Sequence, residues 1–383
     1  MRLTNADLVE LTTWRRMMHQ FPEVSGDERE TAARVAAALT TLNPDQIITG
    51  LGGHGVAAIF NGTADGPSVM FRAELDALPI TEISTADHRS TIPGSGHLCG
   101  HEGHMTWLMG LARLIARQRP ARGRVVLMFQ PAEEYGSGAE AVAADPAYAA
   151  IRPDWAFGMH NMPGVPHGVA WLKSGTICCA SVGMKIALTG KTAHAAWPQT
   201  GISPAAALSA LIPALTALGA VGPIGPEYRL VTVTHAWLGV PAFGIAPGAA
   251  EIWATLRTRD DAPMADLRAL AEGLVTAQAN KADLGVQISY HDDFAATVND
   301  GRATAQFAAA LDGLNIAHSP GDLPTRSSED FGRFAAGHTK LAMVMLGAGE
   351  GHPALHNPDY DFPDDLIPIG VQVFHRVMTD LLG

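Results

Sequence analysis

Four short runs of consecutive apolar residues constrain this chain more than any other feature. They are SVMF before Arg72, VVLMF at Val125–Phe129, WAFGM at Trp155–Met159 and LAMVML at Leu341–Leu346. None alternates polar with apolar, so each predicts a strand buried on both faces, as in a parallel sheet covered by helices. Each run leads, at once or after a short loop, into an unusual polar group: RAELDALP, QPAEE, His160 and, through GAGEGHPA, His356. Sites in open parallel sheets form outside the carboxyl ends of the strands. The pattern therefore predicts an α/β fold that brings an aspartate, a glutamate pair and two histidines to one sheet edge. HLCGHEGH precedes an apolar segment read as a helix from Met105 to Arg117, so it too can face that edge.

The middle of the chain has a different rhythm. SVGMKIALTG reads as a strand and SPAAALSALIPALTALGA as a helix, with Ser203 as N-cap and Pro204 in its first turn. RLVTVTHAWLG and AEIWATLRTRD follow as alternating strands, then a helix from Met264 to Asn280 and the strand VQISYH. The order β-α-β-β-α-β is the ferredoxin-like pattern. It predicts an inserted domain over residues 176–291, with 1–175 and 292–383 forming the larger domain, and the length of 383 residues suits two domains.

The formal charge of -12 and a pI near 5.7 argue against nucleic acid or an anionic membrane as partner. No apolar run is long enough to span a bilayer, and the N-terminal MRLTNADLVELTTWRRMMHQ is polar and amphipathic, unlike a signal peptide. Three cysteines, Cys99, Cys178 and Cys179, are too few for a disulfide framework. The expectation is a cytoplasmic protein with reduced thiols.

HLCGHEGH holds three histidines, a cysteine and a glutamate, but no complete metal motif. A zincin helix needs H-E-x-x-H, and His104 follows Glu102 one residue too soon. No second C-x-x-C closes a zinc ribbon, so further ligands must come from elsewhere in the chain. Glu133 and Glu134 are the most telling pair, because adjacent carboxylates after a buried strand repel unless a cation or proton separates them. Gly50, Gly52 and Gly55 spell G-x-G-x-x-G, but the strand-like VAAIF follows, which predicts a glycine-rich turn and no dinucleotide site.

In that order along the chain, RAELDALP, HLCGHEGH, FQPAEE, GMHNMPGVPHG, GKTAHAAWP, SSEDFG and LHNPDYDF resemble the M20 family of metal-dependent amidohydrolases. The resemblance is to the branch of aminoacylases, hippurate hydrolases and auxin-conjugate hydrolases. It implies a zinc-exopeptidase-like α/β/α catalytic domain holding two divalent ions, with an inserted ferredoxin-like α+β lid or dimerisation domain. It also implies hydrolysis of N-acyl amino acids and a homodimer or higher homo-oligomer built through the lid.

By motif, the resemblance assigns the metal ligands as Cys99, His101, Glu134, His160 and His356, and the general base as Glu133. Asp76 would orient a ligand histidine, a contact that fixes tautomer and basicity. His194 would reach the site from the lid, typically that of a partner subunit, and stabilise the oxyanion. Arg257, in the lid strand ATLR, is a candidate for the substrate carboxylate, because a guanidinium fork matches one. One thiolate and one carboxylate leave two divalent ions with surplus positive charge, which acidifies a bound water. Cys99 is the expected bridging ligand, and the donors favour zinc, with manganese or cobalt also fitting.

Three residues depart from the family pattern. Glu74 and Glu102 stand where aspartates are usual, and Gly244 replaces an asparagine before I-P. The first two are expected to touch the metal surroundings and the third the substrate pocket. The alternatives are a metal-dependent dipeptidase on the same scaffold, a non-catalytic ligand-binding relative, and a structural zinc site closed by four ligands.

Overall fold

The four apolar runs become adjacent strands in the centre of an eight-stranded sheet. Across the sheet they run Arg124–Gln130, Ser68–Glu74, Trp155–Pro163 and Lys340–Gly349, and every neighbouring pair is parallel. This computed structural model describes residues 1–335 and 337–383. Ser68–Glu74 is buried along its whole length, which is why its sequence carries no alternation. Because the four run the same way, their carboxyl ends share one edge. The loops carrying Asp76 and Glu133–Glu134, and the His160 end of its strand, all fall there.

Gln46–Leu51 and Gly55–Asn61 add an antiparallel hairpin to one side of the sheet. Its turn uses positive φ at Gly50, Gly52 and Gly53, so the glycine repeat is a tight turn between strands, as its sequence context predicts. On one layer, the helices Asn5–Gln20, His101–Arg117 and Leu366–Leu382 pack together. Leu11, Met18, Trp107, Leu111, Val371 and Phe374 lie in the core they share with the sheet. Trp107 also donates its Nε1–H to the carbonyl of Leu366 at 3.0 Å.

The helix expected from Met105 starts at His101. Gly100, at φ 91°, takes the N-cap position and turns the chain into the helix. Its first turn holds His101, Glu102 and His104, all buried. An apolar-periodicity argument misses such a turn, because its buried faces are polar and satisfied by partners distant in sequence.

The chain divides into two units, Met1–Ile177 with Val298–Leu323 and Asp330–Gly383, and Cys178–Thr297 with Pro324–Glu329. The second unit has four strands in the order Arg229–Leu238, Ala249–Thr258, Ala180–Thr189 and Gly285–Phe294, each pair antiparallel. The helices Ala205–Thr216 and Asp261–Lys281 follow the first and third strands in chain order, completing ferredoxin-like connectivity. Ile186, Leu211, Leu215, Ile252, Leu267 and Val275 form their common core.

The first helix begins two residues after the expected Ser203 cap. Pro204 occupies the cap position, and Ser203 Oγ accepts only a 3.3 Å bond from Ala205 N. The expected range of 176–291 also omits Pro324–Glu329, which belongs with the second unit. That segment is tied there by polar bonds, Cys179 N to Ser327 O at 3.0 Å and Arg257 Nη1 to Arg326 O at 2.8 Å. TRSSE has no periodicity that would betray such a connection. Among the described residues no helix is long and apolar enough to cross a membrane.

Candidate metal centre

Cys99, His101, Glu134, His160 and His356 converge at the carboxyl edge of the parallel strands. Cys99 and His101 flank Gly100, whose positive φ reverses the chain between them. The Cys99 Sγ lies 3.5 Å from His160 Nε2, and Glu134 Oε2 lies 3.5 Å from His356 Nε2. His101 Nε2 is 3.9 Å from both Glu133 Oε2 and Glu134 Oε1. Two groups of three ligand atoms, each mutually within 4.8 Å, are Cys99–His101–His160 and Cys99–Glu134–His356. They share the Cys99 sulfur.

Hydrogen bonds fix which nitrogen each buried imidazole offers. His101 Nδ1 sits 2.9 Å from the carbonyl of Asp76 and 3.3 Å from its carboxylate, so the neutral ring carries its proton there and offers the Nε2 lone pair. That Nε2 is buried and has no hydrogen-bond partner. Asp76 is itself held by Ser25 Oγ at 2.7 Å and the Glu134 backbone N–H at 2.9 Å. His160 donates Nδ1–H to the Asn161 carbonyl at 2.6 Å, which leaves its Nε2 facing Cys99. The donors fit a divalent ion: a sulfur, three imidazole nitrogens and a carboxylate, brought close together with His356 on the exposed side.

The electrostatics point the same way. Burial pushes the Cys99 thiol well above its usual range, and the nearby Glu134 and Glu133 carboxylates add to the effect. Burial drives His160 well below its usual value, with His104 contributing, so it stays neutral. Burial also opposes a charge on His101, but the bond to Asp76 and the surrounding carboxylates outweigh it and raise the group to about 10. Without a cation, this pocket therefore recruits protons. A divalent ion would displace them.

Sequence reasoning named Asp76 and Glu74 but not the wider network of His104, Arg72, Gln130 and Asp330 around these candidate ligands. Glu74 bonds His104 Nδ1 at 2.6 Å and also contacts Arg72. Arg72 in turn reaches Gln130 and Asp330, each at 2.8 Å. His104 Nε2 accepts from Asn161 N at 3.2 Å and Asn161 Nδ2 at 3.0 Å, so both ring nitrogens are occupied and His104 is no ligand. The only sequence signal for His104 was its place in HLCGHEGH.

The expectation that Glu102 touches the metal surroundings is corrected. Its Oε1 lies 2.8 Å from His19 Nδ1 and 3.3 Å from Arg15 Nη1, in a separate buried cluster against the N-terminal helix. Successive residues of a helix point about 100° apart, so Glu102 cannot share the direction of His101. Glu74, by contrast, does border the centre through His104.

The remaining expected residues lie in the second unit. His194 is exposed on the two-residue strand Ala193–His194, paired with Ile245–Ala246, and its Nδ1 accepts from Ala196 N at 3.0 Å. Gly244 accepts from Ala195 N at 3.0 Å, and nothing lies within 4 Å of where its Cβ would be. Arg257 donates through Nη1 to Arg326 O and, at 2.9 Å, to Ser328 Oγ. Burial lowers its pKa. Among the described residues no carboxylate pairs with it.

A parallel sheet with thiol, imidazole and carboxylate donors at its carboxyl edge, interrupted by a ferredoxin-like unit, defines a metallopeptidase-type α/β protein. The chain belongs to peptidase family M20/M25/M40, which its residues 70–380 match. It is 31% identical to the Arabidopsis thaliana IAA-amino acid hydrolase ILR1-like 2, over 96% of this chain and 84% of that protein. It is also 31% identical to the hippurate hydrolase of Campylobacter jejuni, over 96% of this chain and 95% of the relative. Among solved structures, the Bacillus subtilis YXEP protein, described as a dinuclear metal binding peptidase of the M20 family, superposes with a TM-score of 0.81. It is 25% identical, with 99% of each chain covered.

Proposed function

We propose that this protein hydrolyses the amide bond of N-acyl amino acids, releasing a carboxylate and a free amino acid, with two divalent ions bound per chain. The observation that carries the reading is the pair of ligand groups sharing Cys99 beside Glu133. Cys99 with His101 and His160, and Cys99 with Glu134 and His356, would hold the two ions, zinc first, with manganese or cobalt as alternatives. Bound ions supply Lewis-acid polarisation of the amide carbonyl and acidify water towards a pKa of ~7.

The chain's own residues do the rest. Glu133 accepts a proton from the attacking water and passes it to the leaving nitrogen as the C–N bond breaks and the new C–O bond forms. Asp76 holds His101 in the tautomer that offers Nε2. His194 donates to the oxyanion. Arg257 pairs with the carboxylate of the substrate, and a half-buried guanidinium with no acidic partner among the described residues supports that assignment.

The second unit is assigned as a lid that also joins subunits in a homodimer or higher oligomer. Its exposed Trp237, Leu238, Val240, Phe243 and Ile245 support this, because apolar groups so placed favour cover. Three free cysteines, all buried, agree with a reducing, cytoplasmic setting.

The test is a substrate panel assayed on zinc- or manganese-loaded protein: hippurate, N-acetyl amino acids and auxin conjugates against dipeptides with a free α-amino group. Faster turnover of the N-acyl compounds is expected. Preference for the free amine would assign the protein as a dipeptidase instead.

A further inference from the structure

Asn161 follows the ligand His160 directly, is completely buried, and ties its polar atoms to proposed ligands and to the residues packed around them. Its Nδ2 donates to the carbonyl of the ligand Cys99 at 2.8 Å and to His104 Nε2 at 3.0 Å. Its backbone carbonyl accepts the proton that sets the tautomer of His160. Its Oδ1 accepts from the hydroxyl of Tyr360, itself fully buried and four residues beyond the ligand His356. The Cys99 carbonyl settles the orientation of the amide, because only the NH₂ can face a carbonyl, and the phenol then donates to the oxygen on the other side.

The same side chain seals the turn between Cys99 and His101. A Cβ on Gly100 would lie 2.7 Å from Asn161 Nδ2, 2.9 Å from the Tyr360 hydroxyl and 3.0 Å from Asn161 Oδ1. The backbone joining two ligands is thus pressed against one amide, which also abuts a third ligand.

We infer that Asn161, with its amide oriented by Tyr360, is a positioning residue that sets the spacing of Cys99, His101 and His160 before any metal binds. The inference rests on the metal reading above. The opposing explanation is that a buried asparagine and tyrosine merely satisfy each other and contribute to folding. The two differ in what is lost. A structural bond lowers the melting temperature and leaves metal affinity alone. A positioning bond lowers affinity, because without it the ligands must be ordered at the moment of binding.

Tyr360→Phe keeps the ring and removes only the hydroxyl, leaving Asn161 Oδ1 buried without its donor and the amide held from one side alone. Asn161→Ala removes the amide altogether, and Asn161→Asp keeps its shape while replacing the donor with an acceptor.

The experiment measures zinc affinity of metal-free protein by competition with a chromophoric chelator, the thiolate-to-cobalt absorption band on titration with cobalt, and the melting temperature of the metal-free chains. Tyr360→Phe and Asn161→Asp should each lower zinc affinity about 10- to 100-fold, the usual cost of losing a partner of a metal ligand, and weaken the cobalt band. The Tyr360→Phe, Asn161→Ala double variant should be no worse than Asn161→Ala alone, because the phenol acts through the amide. The inference is overturned if melting falls while zinc affinity stays within about twofold, too small a change for a lost ligand partner. It is also overturned if the two losses simply add. If the unaltered protein binds no zinc, the metal reading itself fails, and that result is distinct from either.

Discussion

The buried ion cluster beneath the N-terminal helix makes a prediction that can be worked through in free energy. His19 is completely buried, with Nδ1 2.8 Å from Glu102 Oε1 and Nε2 3.2 Å from Glu82 Oε2. Burial alone would depress its pKa, but the bonds to Glu102 and Glu82 outweigh that and raise it from 6.5 to about 9. A rise of about 2.5 units corresponds to ~3 kcal/mol of differential stabilisation at about 1.4 kcal/mol per unit.

The folded state holds the proton more tightly than the unfolded chain. The contribution is therefore fully present below pH 6.5 and lost as pH rises through about 9. His19→Gln should remove it, because an amide carries no charge to place between two carboxylates. For a unit of this size, ~3 kcal/mol corresponds to a melting temperature lower by about 6–12 °C. Melting curves of both proteins at pH 6 and pH 9.5 provide the assay. The gap between them should be widest at pH 6 and shrink at pH 9.5. A gap that stays constant, or widens with pH, would refute the claim that a buried imidazolium holds this cluster together.

The remaining predictions concern the metal centre and its reaction. Glu133→Gln should keep both ions and lose nearly all turnover, whereas Glu134→Gln should weaken metal binding, as metal analysis and steady-state kinetics will show. His194→Ala should leave metal content unchanged and lower kcat by ~10²–10³, with a modest change in KM, the pattern of a group that acts in the transition state. An earlier melt with unchanged kcat would make His194 merely structural. Cys99, held protonated well above its usual range, and His101, raised to about 10, must both lose protons to bind metal. Zinc affinity should therefore rise with pH between 6 and 9 with proton release on binding, and calorimetry in buffers of different ionisation enthalpy would detect an absence of protons.

The parts of this protein that show plainly in its sequence are those where one kind of pattern dominates. Unbroken apolar runs mark the central strands because both faces of each strand meet hydrocarbon, as the burial of Val69, Phe71 and Met70 shows. The ferredoxin-like unit is equally legible, since its half-buried strands alternate and its helices carry apolar stripes. What hides from the sequence is buried polarity. Arg15 and His19 sit in a segment that looks like a solvated helix, yet both are fully buried by partners more than sixty residues away. Asn161 and Tyr360 stand inside GMHNMPGVPHG and LHNPDYDF, but nothing there signals their role, since it lies in bonds to residues brought near only by the fold. Glu102 misleads for a related reason. Its neighbour in sequence, His101, faces the candidate metal centre, but helical rotation turns Glu102 to the cluster around His19 and Arg15.

The central claim is that Cys99, His101, Glu134, His160 and His356 hold two ions that are required for amide hydrolysis. The most direct test is to strip the protein with a chelator, add zinc stepwise, and follow N-acyl amino acid hydrolysis alongside bound metal. Activity should be absent without metal and level off when two equivalents are bound, and Cys99→Ala should fall short of that stoichiometry. Full activity in the stripped protein, or one tightly bound ion with no hydrolysis at any loading, would contradict the account.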